Sequence, residues 1–145
     1  MNELLFNFYK MAFLSINRGN HCGILINAKP LYYITIINQI NKKEELIDNR
    51  IPFSAKLNNA YICTCKEYQP NTDPTPFFKP YYYSKSEPFY HLKYKKEPPR
   101  TGLSAKCVRE NIEYAYLDNA LWDLLQEPQI QQQLRETLVT HFLTK

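Results

Sequence analysis

The segment 76–94 constrains the fold more than any other part of the chain, because bulky rings crowd into it. It reads Pro-Phe-Phe-Lys-Pro-Tyr-Tyr-Tyr-Ser-Lys-Ser-Glu-Pro-Phe-Tyr-His-Leu-Lys-Tyr and holds a large share of the chain's 12 tyrosines and 8 phenylalanines. Two aromatic runs, 77–83 and 89–94, flank 84–88, where serine and proline favour a turn. Because aromatic residues suit a pleated, half-buried surface, the segment predicts a β-hairpin.

The predicted hairpin would expose at least one row of tyrosines. Alternation along a strand would place Tyr81 and Tyr83 on one face and Tyr82 on the other. Exposed rings beside Lys79 and Lys85 suit a surface that stacks on bases, or packs on a partner, while the cations hold phosphates. Burial of the rings in the core is the alternative, and both can hold because a hairpin has two faces.

Apolar spacing elsewhere predicts helices. The first predicted helix covers residues 2–16 and packs one face on the core. That face consists of Leu4, Leu5, Phe8, Met11, Ala12 and Ser15. The segment 30–42 is apolar almost all round, as expected of a central helix. The other predicted helices are one capped by Ser54, 105–112 capped by Ser104, 119–126 capped by Asp118, and one starting at Pro128. The predicted fold is a single α+β domain over residues 1–145, mostly helical, with a small β-hairpin or sheet.

Charge permits nucleic-acid binding without demanding it. The formal net charge is +4, from 18 basic and 14 acidic residues. Lysines cluster between Lys79 and Lys96, whereas 110–136 is rich in acids and glutamine, so the charge is segregated. With only 3 glycines and 10 prolines, the chain has no glycine-rich phosphate loop.

Targeting and redox features favour a cytoplasmic chain. The apolar run 4–14 follows Asn2-Glu3 and contains Lys10, which is unlike a signal peptide. No stretch reaches the roughly 18 apolar residues of a membrane span, so no membrane partner is expected. The four cysteines are therefore predicted to be unpaired buried thiols, at positions 22, 63, 65 and 107.

No catalytic or metal motif emerges from the sequence. There is no Glu-x-Lys, nucleophile elbow or phosphate loop. A zinc site from Cys63, Cys65 and the pair His21-Cys22 is an alternative, but Cys-x-Cys lacks the usual two-to-four-residue gap. The chain is predicted to be non-catalytic and to need no cofactor.

Three further segments carry a resemblance to a known family. They are Lys29-Pro-Leu-Tyr-Tyr-Ile-Thr-Ile-Ile-Asn38, Pro80-Tyr-Tyr-Tyr-Ser-Lys-Ser-Glu-Pro-Phe-Tyr-His-Leu92 and Tyr114-Ala-Tyr-Leu-Asp-Asn-Ala-Leu-Trp-Asp-Leu-Leu-Gln126. With the helix that follows, they resemble the N-terminal recognition domain of HNH-type restriction endonucleases. That family is related to the sulfur-binding domains that recognise phosphorothioate DNA. The resemblance covers roughly residues 27–143 and implies a DNA-binding module of bacterial restriction and defence.

Two departures from the family pattern limit what the resemblance implies. No HNH site is present, because His21, His91 and His141 lie far apart in the sequence, so cleavage would need a separate nuclease domain or subunit. The family's modification pocket uses a Tyr-Pro step followed by a small residue. Here Lys79-Pro80 replaces the step, and Tyr83 stands where the small residue would be, a ring able to fill a sulfur-sized cavity. Whether phosphorothioate is read stays open.

The predicted function is DNA recognition through a Lys/Tyr-rich hairpin, directed at the backbone or at modified DNA. Lysines would neutralise phosphates, and Lys29 would add its charge to the N-terminus of the central helix. The predicted contacts are Lys29, Lys79, Pro80, Tyr81, Tyr82, Tyr83, Lys85, His91, Lys93 and Arg100. A solvated lysine face and a structural His91 are the alternatives. A protein-interaction or regulatory domain without DNA binding also stays open, as does a homodimer.

Overall fold

A long central helix, α2 (Ala28–Lys42), organises the molecule. The computed structural model describes residues 2–21, 24–97 and 102–143. Most positions of α2 are buried, 11 of its 15, as its all-round apolar sequence predicts, and α3, α4 and α7 pack around it. Within the described ranges the other helices are α1 (Glu3–Leu14), α3 (Ala55–Tyr68), α4 (Phe78–Tyr83), α5 (Ala105–Asn111), α6 (Asn119–Leu124) and α7 (Pro128–Leu138). A wider helical turn, Val139–Leu143, continues α7.

Two short antiparallel strand pairs complete the described fold. β1 (Asn20–His21) pairs with β2 (Ile24–Leu25), and β3 (Tyr90–Tyr94) pairs with β4 (Ile112–Leu117). The prediction of a mostly helical α+β single domain with a small sheet is confirmed. Within the described ranges, none of the helices combines the length and apolar character that crossing a bilayer requires.

The predicted hairpin at 77–94 is wrong in its first half. Phe78–Tyr83 is helix α4, followed by a 3₁₀ turn at Ser84–Ser86, and only Tyr90–Tyr94 is extended. β3 instead pairs with β4, which begins 18 positions after β3 ends. Helical winding puts Phe77 and Tyr81 on one face, where both are buried, so tertiary packing outweighs the strand preference of aromatic residues.

Helix α1 is rotated relative to the prediction, so that only Leu5 and Ala12 of the predicted face pack partly against the core. Tyr9 and Phe13 enter the core, whereas Leu4, Phe8 and Met11 are 85%, 58% and 60% exposed. Both stripes are apolar, so the helix itself is confirmed but its orientation is not. An unpaired apolar stripe therefore runs along α1 at positions i, i+4 and i+7.

The serine caps are confirmed, whereas Asp118 has another role. Ser54 accepts the Leu57 N–H at 3.1 Å, and Ser104 accepts the Cys107 N–H at 3.1 Å. The Asp118 side chain makes no cap bond. The predicted burial of the thiols holds for Cys65 and Cys107; Cys63 is exposed and Cys22 lies outside the described residues.

Candidate nucleic-acid interface

A cavity of about 370 Å³ opens at the start of α2, between α4 and the segment that follows α1. Four cationic residues border it, namely Arg18, Lys29, Lys79 and Lys85. Its walls are largely apolar, with Ile26, Ala28, Pro80 and Tyr83 among them. We call this the basic cavity. It unites five of the predicted contacts, since Lys29, Lys79, Pro80, Tyr83 and Lys85 all line it.

Lys29 is held in place by a nearly buried carboxylate. Its ammonium lies 2.8 Å from Glu87 Oε2 and donates to Ser86 Oγ at 3.0 Å. Glu87 also accepts the Asn17 N–H at 3.1 Å, and only 3% of its side chain is exposed. Lys29 therefore ties the first turn of α2 to the turn after α4, and Glu87 offsets its charge.

The N-terminus of α2 has no side-chain cap. Asn27 accepts an Arg18 N–H on its Oδ1 at 2.8 Å instead of capping the helix. The N–H groups of Ala28 and Lys29 therefore have no hydrogen-bond acceptor within the described part of the chain. Such free N–H groups, together with the helix dipole, favour an anion. Both residues line the basic cavity.

Arg18 is the contact that the sequence did not reveal. Besides its bond to Asn27, its guanidinium lies 4.8 Å from the centre of the Phe142 ring. The β1–β2 pairing, with Ile26 N–H donating to Gly19 C=O at 2.8 Å, brings Arg18 back beside α2. The available signal was the two glycines and the asparagine within the sequence 18–23, because such residues favour a turn that brings flanking positions together.

The three consecutive tyrosines have three different environments. Tyr81 is fully buried and donates to Ile51 C=O at 2.7 Å, so the prediction that it contacts DNA from an exposed ridge is wrong. Tyr82 is partly buried and accepts a hydrogen bond from Lys85 at 2.9 Å. Tyr83 is 49% exposed, packs edge-on against Tyr82 and lines the basic cavity without filling it.

The lysines of α4 and the following turn differ in how tightly they are held. Lys85 also lies 4.3 Å from the Tyr82 ring centre, and the Tyr82 hydrogen bond raises the pKa of Lys85 above its ordinary value. Lys85 thus stays cationic. Lys79 is exposed, and within the described ranges its ammonium has no partner. Pro80 is buried beneath it and accepts the Ser84 hydroxyl on its C=O at 2.6 Å.

His91 and Lys93 do not join this group. Both lie on β3, and neither lines the basic cavity. His91 Nε2 lies 2.6 Å from Asp118 Oδ1, and the Lys93 ammonium lies 3.7 Å from Glu113. The structure therefore does not bring these two side chains together with Lys29, Lys79 and Lys85, and each contacts an acidic residue instead. Arg100 and most of the predicted loop 97–102 lie outside the described residues.

Among the residues that the structure describes, no three His, Cys, Asp or Glu side chains lie together where they could hold a metal ion. No protein-family model matches the chain, and no curated protein matches it either. The family resemblance of the sequence therefore stays a prediction.

Proposed function

We propose that this chain is a non-catalytic DNA-binding module that holds backbone phosphates at the basic cavity. One observation carries the proposal: Arg18, Lys29, Lys79 and Lys85 line a single cavity at the start of α2, a helix whose N-terminus has no side-chain cap. Glu87 is the only carboxylate that contacts these cations in the described residues, so the cavity keeps a positive excess. A role in restriction and defence rests on the family resemblance alone.

Neutralisation of phosphates supplies most of the affinity of such a surface. Each phosphate contacted by a Lys or Arg releases condensed counterions, so binding weakens as salt rises. Lys79 and Lys85 can reach a phosphate with their exposed ends, while Arg18 is positioned by Asn27. The apolar walls at Pro80 and Tyr83 also suit a phosphate that is less hydrated than usual, such as one in which sulfur replaces an oxygen.

Fluorescence anisotropy with a short DNA duplex over a range of salt concentrations tests the proposal. Substitution Lys79→Gln should reduce the slope of log K against log[salt] by about 0.9, the value for one lost phosphate contact. The matched control is Lys42→Gln, at the other end of α2 and roughly 20 Å away by the helical rise. Equal slopes for the two variants, or no binding by the unmodified chain, would refute the proposal.

The same assay identifies the phosphate that is preferred. A duplex carrying one phosphorothioate is compared with the unmodified duplex at a single salt concentration. Tighter binding of the modified duplex, lost in Tyr83→Ala, would assign the apolar walls to the sulfur atom. Equal binding would show that the module does not distinguish the sulfur atom from oxygen.

The apolar stripe of α1 favours a second candidate, in which the chain interacts with a second copy of itself. Two α1 helices packed antiparallel would bring Leu4 of one copy near Met11 of the other, with the Phe8 rings meeting at the centre. Glu3 and Lys10 flank the same side of the stripe, so this pairing also places each near the opposite charge of the other copy.

Light scattering at increasing protein concentration tests this second candidate. A mass that rises toward a dimer, and stays monomeric in Phe8→Glu, would support it; the matched control is Ile47→Glu, which removes another exposed apolar side chain. A monomer at all concentrations would exclude it. Because the stripe is one short helix, we expect weak association.

A further inference from the structure

A second, deeper cavity lies beside the basic cavity. It measures about 480 Å³ and is enclosed by the start of α2, by α3 and by the proline-rich loop 69–76. Leu31, Tyr61 and Cys65 form its floor, and all three are almost fully buried. We call it the loop cavity. Its volume falls within the range of about 300–1,000 Å³ that is typical of small-molecule sites.

Polar side chains that can still form hydrogen bonds surround this apolar floor. The side chains of Gln69 and Asp73 line the cavity and have no hydrogen-bond partner within the described ranges. Asn27 also lines it; Arg18 occupies its Oδ1, which leaves its NH₂ group free to donate. A flat ligand with apolar faces and an edge of donors and acceptors would satisfy these groups. Nucleobases have this chemistry.

The two cavities share a wall. Ile26, Ala28, Thr75 and Lys79 line both of them. Lys79 is exposed and its ammonium is unpartnered in the part of the chain that the structure describes. In a single nucleotide, only the sugar separates the base from the phosphate. The base and the phosphate can therefore occupy two cavities that share a wall.

We infer that the loop cavity receives a nucleobase whose own phosphate is bound by Lys79 at the basic cavity. The inference rests on the proposed function for the phosphate contact. The base comes from one of two sources: a base rotated out of a DNA duplex, or a free nucleotide. A base inside a duplex can enter only after it loses its stacking and pairing, so a mismatched base enters more readily than a paired one.

The duplex arm of the test uses 2-aminopurine, whose fluorescence is quenched by stacking. The full chain is titrated into duplexes that carry it at successive positions, each opposite a mismatched base. The expected result is a several-fold rise in fluorescence at one position. Thr72→Phe, an exposed substitution on the edge of the loop cavity, should abolish the rise and leave anisotropy-measured binding within about twofold.

Two further variants sharpen the test. Asn71→Phe is the matched control, because Asn71 is exposed in the same loop but lines neither cavity, and it should retain the rise. Asp73→Asn replaces one of the two acceptor oxygens by an NH₂ donor and removes the charge with almost no change in volume, so it should alter which base is preferred. Circular dichroism verifies that each variant is folded.

The second arm titrates 2-aminopurine nucleoside monophosphate alone. Binding of this nucleotide, weakened at least about tenfold by Thr72→Phe but not by Asn71→Phe, would assign the cavity to a free nucleotide. DNA binding with no fluorescence rise and no nucleotide binding would overturn the inference and leave the proposed function intact. Nucleotide binding without DNA binding would overturn the proposed function and would leave the cavity assigned to a free nucleotide. Failure of both arms and of DNA binding would overturn both.

Discussion

Removing the hydroxyl of Tyr90 should destabilise the protein more than removing that of Tyr32, although the two hydroxyls bond to each other. Their oxygens lie 2.8 Å apart, and the Tyr90 hydroxyl also lies 2.7 Å from the C=O of Tyr81. Tyr90 has one proton, which it donates to Tyr81. Tyr32 must therefore be the donor in the bond between the two hydroxyls.

Which tyrosine donates each hydrogen bond determines how much unfolding free energy each substitution removes. Tyr32→Phe removes one buried hydrogen bond but leaves Tyr90 donating to Tyr81, so it should cost about 0.5–1.5 kcal/mol. Tyr90→Phe leaves two buried groups without partners, the Tyr32 O–H and the Tyr81 C=O. Each unsatisfied group costs about 1–3 kcal/mol, so a total of about 2–6 kcal/mol is expected for the two.

Urea unfolding followed by circular dichroism measures both values, provided that the m-value is unchanged. The double variant is the sharper test. Adding Tyr32→Phe to Tyr90→Phe removes the Tyr32 hydroxyl that has no acceptor. It should therefore restore up to about 1 kcal/mol of unfolding free energy rather than lower it further. Equal costs for the two single variants, or purely additive costs in the double variant, would refute the assignment of donors.

Three other perturbations have expected outcomes that the contacts define. Glu87→Gln should lower the free energy of unfolding in urea by roughly 2–4 kcal/mol, because it leaves the mostly buried Lys29 cation without its counter-charge. The same substitution should also steepen the salt dependence of DNA binding, and an unchanged slope would contradict this. Ser54→Ala should cost about 1 kcal/mol by calorimetry through loss of the α3 cap, whereas Ser86→Ala, in a turn, should cost less. Burial raises the pKa of Tyr81 and Tyr90 well above 10.0, and burial with the Asp118 hydrogen bond raises that of Tyr9 to about 12. A raised tyrosine pKa gives stability that is complete below pH 10 and lost as pH rises through the raised values. The phenolate absorbance of these three tyrosines should therefore rise together with unfolding, and their ionisation in a folded chain would contradict this.

The sequence predicts best where the signal is local. The helices capped by Ser54 and Ser104 begin where expected, because a cap depends only on the next three residues. The central helix is likewise evident from its own apolar residues. The face of α1 is not, because two apolar stripes compete and only the rest of the fold selects the one with Tyr9.

The strand prediction for residues 77–83 was wrong for a different reason. Aromatic composition favours a strand, yet Phe77, Tyr81 and Ser84 are spaced three and four apart and all become buried. That helical spacing was visible, but the deciding factor is β4, which supplies the partner of β3 from far along the chain. Five of the predicted contacts still gather at the basic cavity, because Lys29, Lys79 and Lys85 depend on helix ends and turns rather than on a hairpin.

The same burial that removes Tyr81 from the surface gives the basic cavity its shape. Tyr33 donates to Ser84 Oγ at 2.8 Å, and Ser84 donates to the Pro80 C=O, so a buried chain of hydroxyls ties α4 to α2. The Lys29–Glu87 pair makes a second tie between α2 and the turn after α4. The cavity walls are thus anchored in the core, while the ammonium of Lys79 stays free at the edge. A ligand would then meet a preformed cavity, and only the edge would need to be ordered on binding.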